Sequence, residues 1–182
     1  MMRFLSLFLF VLLALSSCKK DEETYARKPA RLTIDNVLQA PVLQTACISN
    51  EQFCFINTDN TGQKFVFTNA EGKTSYINLT ALTGYSGFYL GISGLIVGLP
   101  SIPEMGKDVP MVVCFDRACS NCYENSHIAK PLEFQSQSYV YCKTCKRTYD
   151  LNSVGIVSKG DGGRSLYRYR VSYMNNVLVV SN

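Results

Sequence analysis

The sequence predicts an all-β, antiparallel fold, and three observations carry that prediction. The chain is rich in residues that favour a pleated, half-buried surface, with eleven Tyr, ten Phe and many Val and Ile. Its apolar residues fall in short alternating or continuous runs, separated by Gly, Asn, Asp and Pro clusters. No segment carries an amphipathic helical pattern longer than two turns. At 182 residues, 47% hydrophobic and 18% charged, the chain is sized for one domain with a sizeable core. A formal net charge of +4 is mild and by itself implies no nucleic-acid partner.

Residues 1–17 stand apart from that domain. Arg3 precedes an apolar run from Phe4 to Leu15, interrupted only by Ser6, which is too short to span a bilayer and fits a signal peptide. The run ends in Leu15-Ser16-Ser17-Cys18. Small residues directly before a Cys resemble the lipobox of bacterial lipoproteins, in which that Cys is lipidated and becomes the first mature residue; the plain alternative is an ordinary secretory signal. The resemblance implies a protein held on the outer membrane of a Gram-negative bacterium through Cys18. The run Lys19-Lys20-Asp21-Glu22-Glu23 also resembles a lipoprotein surface-export signal. Residues 18–30 then form the lipidated N-terminus and a polar tether, and 31–182 the domain.

Within the domain, Arg31 to Asp35 alternates as a first strand. Residues 36–50 carry no clear period, and Pro41 excludes a helix interior there. Gln52–Asn57, Lys64–Thr68 and Thr74–Leu79 form a meander, turning at Thr58–Gly62 and Asn69–Gly72. Residues 74–103 hold no charge and five regularly spaced glycines, which could be the small face of a transmembrane helix. The glycines, hydroxyls and Pro100 fit better a Gly-rich loop entering a buried strand, Gly94–Leu99. Val109–Phe115 is a further buried strand. Leu132–Gln137 and Ser138–Tyr141 form an excursion with a return strand, and Ser153–Ser158 is a short strand. Leu166–Tyr173 alternates tyrosines and Val171 with Arg168, Arg170 and Ser172. Asn175-Asn176 is a hairpin turn, since Asn tolerates positive φ, and Val177–Val180 closes the domain.

Chemistry is concentrated in the cysteines. Cys119-Ser120-Asn121-Cys122 and Cys142-Lys143-Thr144-Cys145 are two C-x2-C knuckles with the spacing of a four-thiolate metal site. They mark out a small metal-binding subdomain, about residues 112–150, like a rubredoxin or zinc-ribbon unit. His127 could substitute for one Cys, although a polar loop histidine in solvent is the simpler role. Cys47, Cys54 and Cys114 lie in or beside apolar strands as inert buried thiols, with a Cys47–Cys54 disulfide as the second choice.

The surroundings of the knuckles resemble the Rieske iron–sulfur family. Val113-Cys114-Phe115-Asp116-Arg117-Ala118-Cys119 looks like that family's strand entering its first ligand loop. Arg147-Thr148-Tyr149-Asp150-Leu151 with Gly155 looks like the aromatic-Asp segment and turn behind its second. Leu166–Tyr169 and the last hairpin look like its closing strands. The resemblance covers roughly residues 94–182 and implies a Rieske-like antiparallel architecture with the metal subdomain inserted. The ligands depart from the pattern, because the family uses two Cys and two His and this chain has one histidine. Gly160–Gly163 also lacks the proline of the family's shielding loop.

Four thiolates admit three states. A structural zinc closes the site with four ligands. An all-Cys [2Fe–2S] cluster at the same residues would carry electrons at a lower potential than a Rieske centre. Disulfides across the knuckles are the metal-free outcome in an oxidising envelope. Zinc leads and the cluster is the alternative. The basic residues from Lys143 to Arg170 outnumber Asp150 and Asp161, but the signal peptide places that face away from nucleic acid. One histidine and no close carboxylate pair leave no positioned general base, so an enzyme is the lesser expectation. No protein partner can be named from the sequence.

Overall fold

The central strands of the main sheet split their side chains between two cores, and that split organises the domain. A computed structural model describes residues 25–79 and 87–182. The expected signal peptide, the expected lipidation site Cys18, the Lys19–Glu23 run and part of the Gly-rich stretch lie outside the described residues.

Among the described residues the fold is predominantly β, and all the strand pairs are antiparallel. Strand β1 (Ala30–Ile34) is followed by a 3-10 turn at Val37–Gln39 and helix α1 (Pro41–Ile48). Then come β2 (Gln52–Thr58), β3 (Lys64–Asn69), β4 (Thr74–Asn78), β5 (Tyr89–Leu90), β6 (Leu95–Leu99) and β7 (Val113–Asp116). Helix α2 (Ser120–Ser126) leads to β8 (Glu133–Phe134), β9 (Tyr139–Tyr141), β10 (Thr148–Asp150) and β11 (Ile156–Lys159). The hairpin β12 (Arg168–Met174) and β13 (Val177–Ser181) ends the chain. Among the described residues, nine strands form one sheet in the order β4-β3-β2-β6-β7-β12-β13-β1-β5, and four form a second, β11-β10-β9-β8.

Side chains alternate across a strand, so a strand covered on both faces must be apolar throughout. Cys54, Ile56, Leu95, Val97 and Cys114 point into the first core, with Leu43 and Ala46 of α1. Phe53, Phe55, Ile96, Val113 and Phe115 point the other way, into a second core completed by Leu132, Val140, Tyr149 and Leu151. The four cysteines belong to that second core or pack against it. The continuous apolar runs at Phe53–Ile56 and Leu95–Val97 have this as their cause.

Local chemistry sets the ends of the elements. Pro41 sits in the first turn of α1, where its missing N–H costs no hydrogen bond, so the ambiguous 36–50 region contains a helix that begins on its proline. Asp59 and Asn69 close the two meander turns by accepting from backbone N–H groups two to five residues on. Asn175 and Asn176 both adopt positive φ, +50° and +62°, in the β12–β13 turn. Val109–Val112 stays outside β7, since Pro110 has no donor for a ladder. Ser153 lies in a turn, and the strand expected to begin there begins at Ile156. No helix among the described residues is long and apolar enough to cross a membrane. The Gly-rich stretch feeds the buried strand β6.

Candidate metal centre

The two knuckles arrive from opposite sides of the second core. The first is fixed by its approach. Asp116, at the end of β7, is fully buried and accepts from the N–H groups of Ile92 (2.6 Å), Ser93 (3.3 Å) and Ala118 (2.7 Å), and from the Tyr169 hydroxyl (2.7 Å). Burial raises its pKa, and these donors oppose the rise. Gly91, at φ +69°, lets the chain pass here, since a Cβ would lie 2.3 Å from Asp116 Oδ2. Cys119 N–H then donates to Lys130 O at 2.8 Å, and Leu132 N–H to Arg117 O at 2.8 Å. Cys119 caps α2 at its N-terminus, and Cys122 lies in the first turn of that helix.

The second knuckle joins β9 to β10. Cys142 N–H donates to Arg147 O, and Lys146 N–H to Cys142 O, both at 2.9 Å. Lys146 takes the left-handed conformation, φ +61°, which turns the chain out of the knuckle towards β10.

The four Sγ atoms all lie within 4.8 Å of one another. Cys119 and Cys145 are 3.6 Å apart, and Cys122 and Cys142 3.7 Å. A tetrahedron with Zn–S bonds of about 2.3 Å has edges of about 3.8 Å, so the spacing suits four thiolates around one ion. All four are free thiols, as are Cys47, Cys54 and Cys114, which are buried. The four can therefore take up a metal ion.

The thiols are not equivalent. Burial pushes Cys119 up to about 11, against a hydrogen bond from Tyr149. Cys122 is raised further, by burial and by the neighbouring sulfurs. At Cys145 burial also acts upward, but hydrogen bonds from the backbone and guanidinium of Arg147 outweigh it and bring the thiol down to about 7. Cys145 is thus more readily ionised than Cys119 or Cys122.

Residues around the ligands carry as much of the design. Tyr149 is fully buried, with its hydroxyl 3.1 Å from Cys119 Sγ. Asn121, inside the first knuckle, donates through Nδ2 to that hydroxyl (2.9 Å) and to Arg164 O (2.8 Å), while its Oδ1 accepts from Arg164 N–H (2.9 Å). Arg147, behind the second knuckle, donates to Asp161 O (2.8 Å) and Gly162 O (3.3 Å). The loop Gly160–Arg164, which has no proline, is therefore tied to both knuckles by backbone atoms.

His127 stands apart from the cluster. It ends α2 at φ +53°, exposed to solvent, with its ring 6.0 Å from that of Tyr123. Asn121 and Gly163 were not identifiable from sequence as parts of the site. The only signal was position, one between the two cysteines of a knuckle and the other in a Gly-rich loop. Comparison with protein-family models and with curated protein sequences gives no match.

Proposed function

We propose that the chain is a membrane-anchored lipoprotein whose domain is a binding or structural module built on one zinc ion, held by Cys119, Cys122, Cys142 and Cys145. The observation that carries the zinc is the mutual distance of the four sulfurs, all within 4.8 Å. A [2Fe–2S] cluster divides its four thiolates between two irons, which spreads the two pairs further apart than one ion does. A closed tetrahedron of thiolates leaves no open position for substrate or water, so its contribution is to folding. It would join α2 to the β9–β10 hairpin, two pieces that share no strand pairing.

The Rieske-like frame is supported by the order of parts: β7 entering the first knuckle, an excursion, the second knuckle, and Tyr149-Asp150 behind it. The lipoprotein assignment is supported by Leu15-Ser16-Ser17-Cys18 and the apolar run before it. One feature favours electron transfer as the rival. The Tyr149 hydroxyl is placed on Cys119 Sγ, and hydrogen bonds to ligand sulfurs set the potential of iron–sulfur centres.

The full chain, extracted from membranes in detergent without oxygen, separates the two. A colourless protein with about one zinc per chain is the expected result. Iron with acid-labile sulfide and a brown colour would replace zinc by the cluster. Absence of both metals together with oxidised knuckle thiols would overturn both.

A further inference from the structure

We infer that the loop from Pro100 to Val112, between β6 and β7, rests on the lipid bilayer and seats Ile102, Met105, Val109 and Met111 at the headgroup–acyl boundary. The inference builds on the anchor at Cys18 proposed above, and it adds which face of the domain meets the membrane.

The loop displays its apolar side chains. Ile102 is 58% exposed, Met105 104%, Val109 64% and Met111 55%. Met105 stands at the tip of a tight turn in which Lys107 N–H donates to Glu104 O at 2.9 Å and Gly106 takes φ +81°. Pro100, Pro103 and Pro110 restrict the backbone of the loop. Apolar residues scattered singly over a surface need no partner, but these four lie on one short, stiffened loop.

The position of the chain's entry says what covers them. Tyr25, the first described residue, lines a cleft of about 150 Å³ together with Glu104, Lys107, Val109 and Met111. Arg168 ties the two together. It pairs with Glu104, and its guanidinium lies 5.6 Å from the centre of the Tyr25 ring. From Cys18 to Tyr25 the chain reaches at most about 25 Å fully extended. A lipid on Cys18 therefore holds the Tyr25 face, and the loop beside it, within that distance of the bilayer. The rim of this face suits the headgroup layer. Arg170 lies 4.7 Å from the Tyr25 ring centre, and Lys107 borders the same cleft, placing cations and an aromatic ring beside an apolar tip.

The chain has no tryptophan, so one introduced Trp reports alone. The full chain with Met105→Trp, with Val109→Trp as a second position, would be reconstituted into phosphatidylethanolamine–phosphatidylglycerol vesicles with brominated acyl chains. Met174→Trp is the control. Met174 is 69% exposed and ends β12, six residues from Arg168 and so about 20 Å along the strand. The expected result is blue-shifted emission, quenched at least about twofold, at positions 105 and 109, as for side chains seated in the interface, with position 174 unaffected. Vesicle-bound protein with all three positions unquenched overturns the loop contact and leaves the anchor standing. A shift that grows with protein concentration but is not quenched assigns the loop to a second copy of the chain, and overturns it too. Protein that carries no acyl mass on Cys18 and does not sediment with vesicles ends the anchor and this inference together.

Discussion

The hydroxyl of Tyr149 lies 3.1 Å from Cys119 Sγ and accepts a hydrogen bond from Asn121 Nδ2 at 2.9 Å. With Asn121 donating to its oxygen, the hydroxyl can donate its own proton to a Cys119 thiolate. A thiolate that receives a hydrogen bond is a better-oriented ligand, and such partners commonly account for tenfold to hundredfold of metal affinity. Tyr149→Phe keeps the buried ring and removes only this contact. Metal affinity, measured by competition with a chelator, is expected to fall by about 10–100-fold while the secondary structure stays unchanged. Unaltered affinity would assign Tyr149 to packing alone.

Gly163 and Asn121 form the second support. A Cβ at Gly163 would lie 2.3 Å from Asn121 Oδ1, an atom already held by Arg164 N–H. Gly163→Ala must displace Asn121, and with it the donor to Tyr149. A loss of about 1–3 kcal/mol in stability is expected, as for overpacking elsewhere. Asn121→Ala removes the obstacle, so the double variant should cost less than the two singles added together. Strict additivity in the denaturation midpoints would mean that the two residues act independently.

These supports explain which parts of the molecule were legible in the sequence. The C-x2-C pairs named Cys119, Cys122, Cys142 and Cys145, because ligand spacing is a local property of the backbone. Short alternating or continuous apolar runs, bounded by turn residues, marked most strands for the same reason. Helix α1 was hidden, since eight residues with Leu43, Ala46 and Cys47 buried show too little of a helical period, and Pro41 masked its start. Strand β10 was also missed, because Thr148–Asp150 is short and carries no alternation to read. Asn121 and Gly163 meet across 42 positions of chain, and only the fold brings them together. The Gly-rich stretch showed its purpose only in the fold, where a Cβ at Gly91, Gly94 or Gly98 would meet Asp116, Asn57, or Gln52 and Phe53.

Asp116 joins that stretch to the first knuckle, and four donors converge on it. Asp116→Asn places an NH2 group where only acceptors fit, at an expected cost of about 1–3 kcal/mol. The pH dependence follows from burial, which raises the folded-state pKa. The folded protein then holds this proton more tightly than the unfolded chain does. The resulting stability is fully present below the ordinary aspartate range and is lost as pH rises through the raised value. The stability difference between the parent and Asp116→Asn should therefore narrow as pH increases across that window, and thermal melts of both proteins would measure it. A gap that widens with pH would mean that the backbone donors outweigh burial.

Metal uptake should be coupled to proton release and to the order of the second sheet. Cys119 is held up at about 11, and Cys122 is also raised, so both must lose protons when they ligate at neutral pH. Cys145 is held lower by its hydrogen bonds from Arg147 and contributes less to that release. Zinc binding followed calorimetrically in buffers of different ionisation enthalpy should show this release, and affinity should rise with pH. Chelation should act unevenly on the fold. The first core, around Leu43, Ile56, Phe67 and Val97, contains none of the four ligands, whereas the second contains or borders all of them. Hydrogen exchange after zinc removal is therefore expected to quicken by at least about tenfold at β9, β10 and the start of α2, a loss of about 1.4 kcal/mol of local protection, while β1 and β13 change little. Equal loss of protection in both cores would mean that the metal holds the whole domain and not one face of its sheet.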